Sequence, residues 1–165
     1  MTTTYTDPAA LPSATIHPSA TIDPGAVVGA GARVGPGATV GRYAIISPQA
    51  FVCDGAYIDP GAFVGEGVTI HPGATVGRDA IIAPRVIVGE GAIIAPRVIV
   101  GANAYIGTRA RVGANACIGP GAFVGMDAII SPSATMYEEA HIGPHTTVYA
   151  NTVVPAKTIV VEEKN

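Results

Sequence analysis

A valine or isoleucine recurs at every sixth residue from Ile16 to Val160 without one insertion, and Met136 is the only departure from that residue type. Twenty-five consecutive hexads leave few folds open, because a fixed period makes each unit an element that buries itself against its neighbours. With each anchor taken as position i, position i−2 is Ala in 19 of the 25 units and Val or Thr in the rest. Apolar residues at i−2 and i, with i−1 on the opposite side, carry the period-two pattern of a short strand. The anchor is β-branched in 24 units, which suits packing on a pleated surface. All 21 glycines fall at i+1 or i+3, and 11 of the 14 prolines fall at i+2. Those are bend positions. The hexad therefore reads as a three-residue strand followed by a three-residue bend.

The phase excludes the obvious alternatives. A helical period of 3.6 does not divide six, and so many prolines would break a helix. Collagen needs Gly at every third position, which this chain lacks. Gly and Pro make up about a fifth of the chain, a share that suggests disorder when unphased, but here both are strictly placed. The 165 residues form one domain: an arm at 1–13, the repeat at 14–160 and a charged tail at 161–165. A net charge of −3 without a basic patch argues against a nucleic-acid partner. No apolar run approaches the roughly 18 residues of a membrane span. The first residues lack the basic and apolar regions of a signal peptide. Cys53 and Cys117 occupy different phases of the hexad, so free thiols in a reducing, cytoplasmic setting are expected.

Units such as GAVVGA, GATVGR, GAFVGE and GAFVGM, at residues 25–30, 37–42, 61–66 and 121–126, resemble the repeat of the hexapeptide-repeat superfamily. The resemblance covers residues 14–160. It implies an all-β, left-handed parallel β-helix: three hexads per triangular coil of 18 residues, about eight coils and no insertion loops. At roughly 4.8 Å per coil the prism is about 40 Å long. The resemblance also implies a homotrimer.

Eighteen-residue stacking turns the chain into a surface map. One face (face A) carries Thr15, Arg33, Phe51, Thr69, Ile87, Tyr105, Phe123 and His141 outward; a second (face B) includes Tyr57, Ile93, Arg111 and Ile129. The third (face C) carries Val27, Ile45, Phe63, Ile81, Ile99, Cys117, Thr135 and Val153, without one charge. A long exposed apolar stripe marks an interface, so face C is expected to contact further copies of the chain. Unpaired strand edges at the two ends add end-to-end stacking as an expectation. At the corners, Asp79 stacks under Arg97, and Arg109, Asp127 and His145 form one column whose expected role is structural.

Candidate chemistry rests on few residues. His71 stacks one coil above Cys53, with His17 two coils below it, and a thiol beside an imidazole is the arrangement of an activated nucleophile. His141 follows Ala140 on face A; acyltransferases of the superfamily use a histidine in such a context, so the resemblance implies His141 as their base. γ-Class carbonic anhydrases share the fold, but their ligand histidines lie five residues apart, whereas His141 and His145 lie four apart. No metal ligand is assigned. Three functions stay open: a self-associating scaffold without cofactor, an acyltransferase using acetyl-CoA or another acyl donor between subunits, and a metal-dependent hydratase.

Overall fold

The computed structural model describes residues 14–161; the arm at 1–13 and residues 162–165 of the tail lie outside the described residues. The chain is a left-handed parallel β-helix of about eight coils. Its strands form three parallel sheets of nine, eight and eight strands, one per face of a triangular prism. Every pairing joins residues 18 apart, from Thr15↔Arg33 through Ile81↔Ile99 to His141↔Ile159. The predicted faces are therefore the observed sheets. None of the described residues is helical, and no helix is long and apolar enough to cross a membrane.

Anchors fill the interior. Ile46, Ile58, Ile70, Ile82, Ile94 and Ile106 are fully buried, and the alanines at i−2 are buried beside them. The small i−2 side chain leaves room for three β-branched anchors to meet at the axis. Each coil is hydrogen-bonded to the next: the Tyr57 amide donates to the Ala74 carbonyl at 2.8 Å and the Asp59 amide to Val76 at 2.8 Å.

The strands are two residues long, at i−1 and i, rather than three. The reason is where the i−2 amide goes. Ala56 donates its N–H to Cys53 within its own coil at 3.2 Å, closing the turn, while its carbonyl accepts from Thr39 below at 2.9 Å. Half of that residue belongs to the bend.

From Gly25 to Lys157 corner position i+3 adopts a left-handed conformation whatever its side chain: Gly37 has φ 64°, but so do Tyr43 at 60°, Arg97 at 59° and Lys157 at 57°. From Gln49 onward its amide donates to the i+2 carbonyl of the coil below, as Arg97 does to Arg78 at 2.9 Å, which holds even unfavourable residues there. Position i+1 has a different need. A Cβ on Gly107 would lie 2.6 Å from the Gly125 carbonyl carbon in the next coil.

The last coil departs from the rule at i−2, where Thr146, Thr152 and Thr158 replace Ala. In inner coils the i+2 carbonyl accepts from the coil above, as Pro120 does from Glu139 at 2.9 Å. In the last coil Thr146 Oγ1 donates to Pro144 O at 3.2 Å and Thr158 Oγ1 to Ala156 O at 3.5 Å.

Candidate functional site

The Cys53 and His71 backbones sit on adjacent coils, each donating its amide to the coil above, to Ile70 and Val88 at 2.9 Å. Among the described residues no hydrogen bond joins the thiol to the ring. Burial, and secondarily the neighbouring Asp54 carboxylate, push the Cys53 thiol above its ordinary value. That is the opposite of thiolate activation. His17 turns its Nδ1 to Ser19 Oγ at 2.9 Å. Gly35 leaves a shallow cavity of about 300 Å³ between His17 and Cys53, walled by Phe51, Arg33 and Thr15.

His141 is half-buried in an aromatic ladder on face A. Its ring stacks on Phe123 at 4.3 Å, and Phe123 stacks on Tyr105 at 5.0 Å. Directly opposed residues one coil apart place parallel rings at stacking distance, so the ladder follows from the register. No carboxylate in the described residues pairs with this ring.

The imidazole–carboxylate pair lies on the neighbouring corner. Arg109, Asp127 and His145 occupy position i+3 of three successive coils, all with positive φ. Arg109 grips Asp127 with two bonds, Nε to Oδ1 at 2.8 Å and Nη2 to Oδ2 at 2.8 Å. His145 Nδ1 stands 3.8 Å from Asp127 Oδ2, an ion-pair separation rather than a hydrogen bond. The hydrogen bonds from Arg109, with its charge and that of His145, hold the Asp127 carboxyl below its usual range. His145 remains well exposed, at 63% of its side chain. The sequence placed this trio in one column, yet read it as structural because three exposed charges are usually worth little.

The expected Asp79–Arg97 pair does not form. Arg97 extends toward the coil above, giving its Nε to Asn115 Oδ1 at 2.9 Å, as Arg85 does to Asn103 at 3.0 Å. Asp79 instead folds over Gly61, where no Cβ obstructs it.

On face C, Val27, Ile45, Phe63, Ile81, Ile99 and Val153 are exposed by between 37% and 54%, while Cys117 and Thr135 are half-buried. The stripe runs unbroken through eight paired strands. Face B also exposes Ile93 and Ile129, but Arg111 interrupts them. Among the described residues no three His, Cys, Asp or Glu side chains gather to form a metal site.

No protein-family model matches the chain, and no curated protein matches it. Solved structures do. The prism is similar to a UDP-N-acetylglucosamine acyltransferase from Francisella novicida, at TM-score 0.74 and 18% identity, over 92% of this chain and 66% of that one. It is similar to a GDP-perosamine N-acetyltransferase from Caulobacter crescentus solved with CoA and GDP-perosamine, at TM-score 0.60 and 19% identity, over 91% of this chain and 53% of that one. LpxA from Acinetobacter baumannii aligns at TM-score 0.54 and 18% identity, over 90% of this chain and 71% of that one. The chain thus spans half to two thirds of the first two. At such identities the likeness shows the fold, which is that of hexapeptide-repeat, left-handed β-helical acyltransferases.

Proposed function

We propose that this protein transfers an acyl group from a thioester donor, acyl-CoA or an acyl carrier, to a hydroxyl or amine, with His145 as general base. The observation that carries this reading is the exposed His145 imidazole with its Nδ1 toward the Asp127 carboxylate. A carboxylate on that side favours the tautomer with Nδ1 protonated and leaves Nε2 free to accept a proton. The acceptor gives its proton to Nε2 as its oxygen or nitrogen attacks the thioester carbonyl. The tetrahedral intermediate then expels the donor sulfur, which takes the proton back as a thiol. Arg109 fixes the carboxylate that orients the ring. The fold shared with acyltransferases, one of them solved with CoA, supports the donor class. The corner that carries His145 joins faces A and B and lies opposite face C, so association of copies through face C leaves it open to donor and acceptor.

The test is transfer from acetyl-CoA, followed as free thiol. His145→Ala lowers turnover by about 10²–10⁴-fold, the usual worth of a positioned base, and Asp127→Asn lowers it less. Loss on His141→Ala with activity kept in His145→Ala refutes the assignment. Sedimentation of an Ile81→Asp, Ile99→Asp variant is expected to show a single prism; an intact assembly refutes face C as the contact.

A second reading, a scaffold without catalysis, is favoured by the uninterrupted uncharged stripe of face C. It predicts self-association with no acyl transfer and no thermal shift at millimolar acetyl-CoA.

A further inference from the structure

The outward row of face C is complementary to itself when reversed, which its lack of charge alone does not require. The row carries one residue per strand, each paired to the next 18 residues on. Turned end for end, it sets Val27 against Val153, Ile45 against Thr135, Phe63 against Cys117 and Ile81 against Ile99. The pairs are of similar bulk, because the largest side chain of the row, Phe63, meets the smallest, Cys117. Copies running the same way, as a pair or around a threefold axis, would set Phe63 level with Phe63 and Cys117 level with Cys117. A separation held open at Phe63 then leaves a void at Cys117, and side chains lining a void lose their contacts.

Charge selects the same arrangement. Asp79 and Arg97 lie two residues before Ile81 and Ile99, at the corner joining faces B and C. Reversal therefore brings Asp79 opposite Arg97 of the partner subunit, and Arg97 opposite the partner's Asp79. Within one chain the two do not pair. Arg97 gives its Nε to Asn115 Oδ1 at 2.9 Å, with neither Nη bonded among the described residues, and Asp79 leans over Gly61. Sliding the reversed copy by one coil sets Asp79 against the partner's Asp79, or Arg97 against the partner's Arg97. Like charges thus reject the neighbouring registers. At the other flanking corner Glu66 meets the partner's Pro120 and Arg85 the partner's Asn103, so no like pair arises.

The contact is large enough to last. Face C has eight strands. At about 4.8 Å each, on a side of roughly 16 Å, closing it on a second copy hides on the order of 1,200 Å² in all, the size of a specific interface.

We propose that face C docks a second copy of this chain in an isologous, antiparallel pair, about a twofold axis that crosses the face between Ile81 and Ile99. This rests on the association through face C described above and departs from the threefold assembly that the resemblance implies. The apolar row is the centre of the contact, and the two Asp79–Arg97 contacts belong to its polar rim. The His145 corners of the two copies point away from each other.

Sedimentation equilibrium of the full chain reads two copies; one copy or three overturns the proposal. Orientation is read from Phe63→Cys in a Cys53→Ser background, oxidised with diamide. The introduced thiol faces the partner's Cys117, and a covalently linked pair forms. Without Phe63→Cys the two Cys117 thiols stand three coils apart, about 14 Å, and no link forms. Linkage through Cys117 alone overturns the orientation. For the register, Arg97→Asp weakens association at least tenfold, and adding Asp79→Arg restores it to within threefold. A double variant as weak as the single one overturns the register. None of these readouts involves turnover, so a failure of acyl transfer leaves them intact, and the reverse holds.

Discussion

Replacing Gly107 with Ala separates the two demands that place glycine in this repeat. The added Cβ meets the Gly125 carbonyl carbon and the Met126 nitrogen at 2.6 Å, and the Gly125 oxygen at 2.7 Å. Ordinary contact begins at 3.4 Å, so the next coil must retreat by about 0.8 Å. That coil is backbone, held by the Gly107 amide on Val124 at 2.7 Å and by the Gly125 amide on Ile142 at 2.8 Å. Neither bond survives such a shift in good geometry. The cost belongs at the upper end of overpacking, about 3 kcal/mol. At roughly 2–4 °C per kcal/mol for a chain of this size, the melting temperature falls by roughly 6–12 °C. Gly37→Ala is the contrast: its Cβ meets nothing within 4 Å, but φ is +64°. The left-handed conformation alone costs about 1 kcal/mol, or roughly 2–4 °C. Thermal and urea unfolding of both variants, followed by circular dichroism, measure the difference. Equal losses, or a larger one at Gly37, refute the separation into close approach at i+1 and backbone conformation at i+3.

Ile94→Ala empties a fully buried anchor and is expected to cost about 2–5 kcal/mol, read from the urea midpoint. Asp127 has a depressed folded-state pKa, so its contribution is present above its unfolded-state value and disappears as pH falls through the lower folded value. Carboxyl NMR places its titration below that of an ordinary aspartate, and Arg109→Gln moves it upward. The Cys53 thiol has a raised value, so its neutral form favours the fold below the unfolded thiol value and that advantage is lost as pH rises through the folded one. Alkylation of Cys53 by iodoacetamide at pH 8 is expected to be slower than that of a free thiol, and slightly faster in Asp54→Asn.

Most of the fold was legible because a β-helix of this kind reads its own register aloud. Once Thr15 stacks on Arg33, Phe51 must stack on Thr69 and Phe123 on His141, and the observed pairings follow. Packing inside the prism depends on the same six-residue phase, so anchors and alanines were identified together. What the period does not encode is side-chain direction at the corners. Arg97 had Asp79 below and Asn115 above, and column membership alone does not choose between them. Cys53 and His71 likewise share a column, but a position that shares a column is not a bond. For His145 the column gave a ladder of charges, and only the distances set its ring 3.8 Å from one carboxylate oxygen. Strand length was overstated because the dual use of the i−2 amide is invisible in a pattern of side chains.

Every interior coil is a template that would accept another copy of itself. The hydroxyls of Thr146 and Thr158 give two corner carbonyls of the last described coil a donor from within that coil. Because every pairing joins residues 18 apart, the length of the rod follows the number of 18-residue units. Duplicating 18 residues upstream of Thr146 should lengthen the rod by one rung and leave those two hydroxyl contacts unchanged.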